Sequence, residues 1–411
     1  MAACDEKLDS GLACPVLCPQ AGVTMRDTTL FAVALDTSIA GYPNVGAETR
    51  LYVTSMGDTL QTRGIARWDT LPDKFVHVNS AVDSAIVVVD TGSHVRLYID
   101  SDSIRLDPLT VEIYDVDMNG AEESDLSLLA TAFTPARLLG SRTFPIDSVR
   151  DSLNVPIDPN VLLAKIQTPV PGNRLRIGIR VTSASEPTLS IRTSNANQHP
   201  RLIFRPSTDT TVALVNLPVR SLTPDDPLTR AELADFLLVT QEPPAPPPDV
   251  IRVGSLPGRR VYLRFDVPSG ILDSTTLVRA ALLLTQRPNG HSPEPQDSIA
   301  IIPYEVTASA AVEDLTRALF FIRSLPRGFP ARTDSLRMAA DDDGIREFQV
   351  LGFVRNWRGT DPAITPRALA LNSGLEGISG RQVDFFSIEA LLAMRPRLRI
   401  TYLPRREEGL P

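Results

Sequence analysis

Pro200–Pro206 reads PRLIFRP, and Pro396–Pro404 reads PRLRITYLP. Each is a short apolar run bounded by proline, the pattern of a strand that buries one face. An ending written twice, about half a chain apart, points to internal duplication. Four other pairs keep the same order. DTTLFAVAL from Asp27 matches DTTVALVNL from Asp209, and LYVTSMG from Leu51 matches LLVTQEP from Leu237. RGIARWD from Arg63 matches RRVYLRFD from Arg259, and VEIYDVD from Val111 matches IIPYEVT from Ile301. Asp69 and Pro200 are 131 residues apart and Asp266 and Pro396 are 130 apart, so the copies hold register over most of their length.

The duplication predicts a division of the 411 residues into a leader at 1–21, one unit at 22–206, a second at 207–405 and a tail at 406–411. Each unit is long enough for its own core. The run PPAPPP at Pro243–Pro248 has the stiffness of an interdomain linker. The repeat instead places it inside the second copy, as a surface loop between two early strands.

VRLYID, RLRIGIRV, VYLRFDV, ALLLTQ, IAIIPYEV and RLRITYL are β-branched or alternating runs bounded by turn residues. Helix-like spacing is confined to EDLTRALFFI from Glu313, SIEALLAM from Ser387 and pieces such as DLSLL from Asp125. Without βαβ alternation the predicted fold is all-β: two tandem antiparallel β-sandwiches, jelly-roll-like, with few short helices. The 35 prolines and 23 glycines agree with many short elements joined by turns. Hydrophobic content of 43% with 22% charged residues is that of a folded protein. A net charge of -8 with no basic stripe argues against nucleic acid as a partner. No apolar run reaches the length of a membrane-spanning helix.

All three cysteines, Cys4, Cys14 and Cys18, fall in the first 18 residues. MAACDEK resembles the end of a bacterial lipoprotein signal, in which Ala2 and Ala3 precede a lipidated Cys4, although the basic start and apolar run of such a signal are missing. A lipid on Cys4 leaves Cys14 and Cys18 as a pair for a small disulfide loop in an oxidising compartment. The expectation is an exported protein, either secreted or held at the outer membrane or cell surface, touching membrane only through that lipid. Free cysteines in a cytosolic leader are the other reading of the same letters.

RFDVP, LVRAALLLTQ, REFQVLGFVRNWRG and DFFSIEALLAMRPRLRITY, within Tyr262–Tyr402, resemble the DNRLRE-type β-sandwich domains of bacterial extracellular proteins. The pieces that carry the resemblance best are Val354, Trp357 and Gly359 in one turn, and Ser387, Glu389 and Arg395–Leu398 before the end. The first copy lacks the tryptophan turn and has Ser194 and Asn195 in place of the Ser-x-Glu. Because some relatives bind acidic polysaccharides, the resemblance implies a β-sandwich in an extracellular setting with a glycan as its ligand.

Chemistry is sparse. His77, His94, His199 and His291 are scattered, with no zinc-protease spacing and no nucleophile elbow, so no enzyme is expected. Asp115, Asp117, Asn119 and Gly120 fill the first four diagnostic places of a calcium loop, but Leu126 stands where a bidentate Glu is needed. Calcium is the one cofactor the sequence admits. A solvated polar loop with a tight Asn-Gly turn is the plainer alternative, and Asp341–Asp343 reads as another acidic turn. Trp357 between Arg355 and Arg358 offers an aromatic and cationic patch for an acidic polymer. A buried structural tryptophan fits the same letters. Trp68 occupies the position of Phe265 in the repeat and reads as core. The function expected is non-catalytic binding of a polysaccharide or cell-envelope glycan; the alternative is a structural or adhesion spacer with no small ligand.

Overall fold

The computed structural model describes residues 25–42, 49–69, 92–100, 107–125, 127–167, 174–205, 214–219, 234–306, 332–359 and 367–404, with Leu71 and the two-residue strands at 74–75 and 85–86. Cys4, Cys14, Cys18, the helix expected from Glu313 and the tail lie outside these residues.

Strands dominate, nearly all of them antiparallel pairs, and the longest described helix is the nine-residue Pro159–Gln167. The alternation read in the sequence is what builds the layers. In Leu109–Asp115, Val111 and Ile113 are fully buried while Thr110 and Glu112 turn outward. The same strand pairs with Leu175–Thr182 on one side and Leu138–Phe144 on the other.

The first sandwich has two sheets. One runs Ser152–Pro156, His94–Tyr98, Arg201–Phe204, Val215–Pro218. The other runs Thr188–Arg192, Arg50–Met56, Leu60–Trp68, Leu175–Thr182, Leu109–Asp115, Leu138–Phe144, with Asp235–Gln241 also paired to Leu60–Trp68. Val95, Leu153, Leu202 and Phe204 from the first sheet meet Leu51, Trp68, Ile177 and Ile191 from the second in one apolar cluster.

The second sandwich repeats this plan strand for strand. Gly258–Phe265 lies between Ala368–Ser373 and Val33–Tyr42, as Leu60–Trp68 lies between Leu175–Thr182 and Asp235–Gln241. Arg397–Pro404 lies between Thr275–Arg287 and Arg26–Leu30, as Arg201–Phe204 lies between His94–Tyr98 and Val215–Pro218. Thr275–Arg287 is long enough to pair with Arg397–Pro404 at one end and Gln382–Phe386 at the other, which joins the two layers at a corner. Phe265, Leu282, Phe348, Trp357, Phe385 and Ile400 fill the core.

The all-β class with antiparallel sheets and few short helices is as the sequence predicts, but the boundaries at 22–206 and 207–405 are not those of the sheets. Arg26–Leu30 and Val33–Tyr42 begin the first copy yet pair in the second sandwich. Val215–Pro218 and Asp235–Gln241 begin the second copy yet pair in the first. Each copy gives its opening strands to the other. Pro243–Pro248 therefore joins a strand of the first sandwich to Val250–Gly254 of the second, so the linker reading describes it better than a loop within one unit. The match of LYVTSMG to LLVTQEP is also one strand out of phase, because Arg50–Met56 pairs as Val250–Gly254 does, not as Asp235–Gln241 does.

SIEALLAM forms turns instead of a helix. Ser387 donates its backbone N–H to Asp249 O and Ile388 donates to Asp36 Oδ2, which ties the start of this segment to a turn and to a borrowed strand. Leu391, Leu392 and Met394 are left exposed at the far end of Arg397–Pro404 from Tyr402.

Candidate functional site

The exchanged strands are held by the same clasp in both sandwiches. Asp36 sits opposite Leu263 and Asp235 opposite Ala66, and Leu263 and Ala66 are equivalent in the repeat. Asp36 Oδ2 accepts the N–H of Ile388 at 2.8 Å; Asp235 accepts the N–H of Ser194 at 2.5 Å and its hydroxyl at 2.7 Å. In each case a carboxylate on a borrowed strand fastens the loop that leads to the closing strand. Trp68 adds to the grip in the first sandwich, where its indole N–H donates to Leu217 O at 2.8 Å. In the second, Ser38 Oγ accepts the N–H of Arg252 at 2.8 Å.

Burial raises the Asp36 carboxyl to about 6, helped by the Glu389 charge and opposed by the Ile388 N–H. Between the unfolded value of 3.8 and about 6 the folded protein thus holds the proton that the unfolded chain has released. Stability from this group falls as pH rises through that window and is level above it. Asp36→Asn keeps an acceptor and removes the ionisation. It is expected to stabilise the protein by about 1 kcal/mol at pH 7, a figure discounted for the partial exposure of the group, and to flatten the slope between pH 4 and 6. Chemical denaturation of both proteins at pH 4.5 and 7 checks this; an equal difference at the two pH values would contradict it.

The expected ligand patch is divided: Arg355 is exposed and Arg358 half-buried, but the aromatic between them is not at the surface. Trp357 is fully buried and lies against Phe265 with ring centroids 5.3 Å apart. Arg355 donates to Leu277 O at 2.9 Å, and Arg358 donates to Leu272 O at 2.8 Å and to Thr275 O. Both guanidiniums therefore tie the helix Leu351–Asn356 to the neighbouring loop and strand. Gly359 takes a positive φ of 65° and gives its N–H to Asp273, which ends that turn. The Val354–Gly359 turn is thus a packing device, as is Ser387 with Glu389, whose side chains bond each other at 2.7 Å. Trp68 is core, as the repeat predicts, and Tyr262 is buried as well.

The loop read as a calcium site is an ion-pair cluster. Arg174 donates to both oxygens of Asp117 at 3.0 Å and to Glu122 at 2.9 Å. Lys165 lies 3.1 Å from Asp115. Arg137 reaches the carbonyls of Asp115 and Asp117 at 2.6 Å. Arg176, fully buried, lies 3.1 Å from Glu122. Burial pushes the Asp117 carboxyl up, but the Arg174 hydrogen bonds, the Asn119 N–H and the charge of Lys165 prevail and hold it below the usual carboxylate range. Protein cations stand where a metal would. Asn119 and Gly120 have φ of 56° and 96° and make the tight turn of the plainer reading. Among the described residues no three His, Cys, Asp or Glu side chains converge as metal ligands. Asp342, in the other acidic turn, pairs with Arg346 at 3.2 Å.

A polar cleft lies where the sandwiches meet, lined by Arg50, Tyr52 and Ser190 of the first and Glu294, Ser379 and Arg381 of the second. Gly380 allows the approach, since a Cβ there would meet Leu60 at 2.9 Å and Pro293 at 3.2 Å. Arg381 bonds Glu294 and, at 2.6 Å, Asp297. Arg50 pairs with Asp100 at 2.9 Å. Burial lifts the Tyr52 phenol to about 12, so it stays neutral. The free volume is about 30 Å³, room for two waters and too little for a sugar ring.

No family model matches the chain, and no curated protein matches it. Among solved structures it is compared with the infectious bursal disease virus VP2 subviral particle, at 10% identity over 92% of this chain and 77% of that one, with a TM-score of 0.11. That likeness is too slight to carry an argument on fold or function.

Proposed function

We propose that the chain is a non-catalytic, exported surface module hung from one edge, a structural or adhesive component of the cell envelope. The observation that supports this best is the pairing of Arg26 with Tyr402. The first and last described strands are antiparallel neighbours, so the chain enters and leaves at one end of one sheet. Tension between those ends would peel the two strands apart one pair at a time, a poor design for a link in series and a good one for a pendant head. A lipid on Cys4 would leave a tether to Met25 of at most roughly 70 Å.

The family resemblance of Tyr262–Tyr402 favours glycan binding, but Trp357 lies in the core and Arg355 and Arg358 are already bonded to backbone carbonyls. Affinity electrophoresis through acidic polysaccharides is expected to show unaltered mobility. Saturable retardation that Arg355→Ala and Arg358→Ala abolish would overturn the reading in favour of a glycan module. Labelling of cells with a fatty-acid probe is expected to mark the protein and not its Cys4→Ser variant. Equal labelling of the two would remove the lipid anchor.

A further inference from the structure

The two sandwiches are closed by equivalent strands that come from different distances. The first takes Val215–Pro218 from residues that follow its last strand, Arg201–Phe204, a local hairpin pairing. The second takes Arg26–Leu30 from the front of the chain, where Leu30 meets Leu398 across 368 positions of sequence. The acceptor edges are alike: Asp36 and Asp235 face equivalent residues and fasten equivalent loops. In a row of such sandwiches, each is closed by the opening strands of the next copy. For the second sandwich, the next opening strands can be those at the front of its own chain or those at the front of another molecule.

We infer that the protein assembles head to tail by strand exchange, the segment Arg26–Tyr42 of one molecule closing the second sandwich of the next. Every hydrogen bond and apolar contact of the closed monomer is remade in the exchanged form. The balance therefore rests on the entropy of closing residues 43–49 within one chain against that of joining two chains, and concentration decides it. The exchange is heterologous: the donor strands and the acceptor edge are different surfaces, so the product is an open row with a free donor at one end and a free acceptor at the other. The inference does not depend on whether the module binds a glycan, and the single-edge attachment proposed above describes the closed monomer, since in the row Arg26 pairs with Tyr402 of the next molecule.

Two full-length variants test it, both with Cys4→Ser, Cys14→Ser and Cys18→Ser. One carries Asp27→Cys and the other Thr401→Cys, at positions that pair in register and whose side chains touch at 3.1 Å. The mixture is unfolded, refolded at ~1 µM or ~100 µM, oxidised and analysed by mass. Disulfide-linked heterodimers are expected at the higher concentration, at least ~10-fold above their yield at the lower one and above either homodimer. Heterodimers no more abundant than homodimers at ~100 µM would overturn the exchange. Deleting residues 44–47, which shortens the return connection, is expected to drive the chain into oligomers by light scattering. A folded monomer of that deletion would count equally against it.

Discussion

A chain cut once within Pro243–Pro248, by a specific protease at an inserted site, is expected to remain a single particle of native mass. The cut separates the backbone of the two sandwiches, but the front fragment keeps Arg26–Tyr42, which is built into the second. Ala32, Val33 and Leu30 pack in that core, and Ile39 is buried on the same strand. At about 1.5–3 kcal/mol for each large buried side chain, these contribute about 6 kcal/mol, before counting the ladder from Tyr42 to Val33 along Gly258–Phe265. That is comparable with the whole stability of a domain. Size exclusion should therefore show co-elution in buffer and separation in denaturant. Deleting residues 1–48 should leave the second sandwich without native near-ultraviolet dichroism while the first still folds. Two folded fragments that elute apart would show that the borrowed strands are dispensable.

How much of this was legible depends on the kind of signal. The duplication, the all-β class and the core role of Trp68 follow from patterns local to a strand, and local alternation survives in the structure. The exchange does not follow, because a strand presents the same donors and acceptors whichever copy it pairs with. DTTLFAVAL and DTTVALVNL announce that each copy begins alike, not where those strands go. The phase error between LYVTSMG and LLVTQEP has the same origin, since alternating runs resemble one another once shifted by a strand. Asp36 and Asp235 were the missed markers: an acid in an otherwise apolar opening strand is costly unless it has a fixed partner. The ion pairs of the loop read as a calcium site were hidden for a related reason. Acid spacing in DVDMNG is visible in sequence, but Arg174 and Arg176 arrive from a strand more than fifty positions away. Trp357 was ambiguous because a tryptophan flanked by arginines reads alike whether the arginines face solvent or backbone carbonyls.

The second large effect is expected at Glu122. Its carboxylate is fully buried: one oxygen meets Arg174 and Arg176, and the other accepts the N–H groups of Met118 at 3.0 Å and Gly120 at 3.1 Å. Glu122→Ala takes from the buried Arg176 and the nearly buried Arg174 the anion they share, and strips two amides of their acceptor. Removing one partner of a buried ion pair costs about 3–5 kcal/mol, because the charge left behind is neither hydrated nor neutralised. Loss of that size should appear as a lower urea midpoint with little change in slope. If uncompensated charge is the cause, Glu122→Leu combined with Arg176→Met should recover a large part of the loss, since apolar replacements of a buried pair are often neutral. A double variant as unstable as Glu122→Ala would assign the effect to the turn amides instead. Calcium at ~1 mM should leave the melting temperature of the native protein unmoved, because a ligand stabilises only in proportion to its occupancy and Arg174 already takes both Asp117 oxygens. A rise of several degrees would restore the metal site and require the guanidinium to swing away.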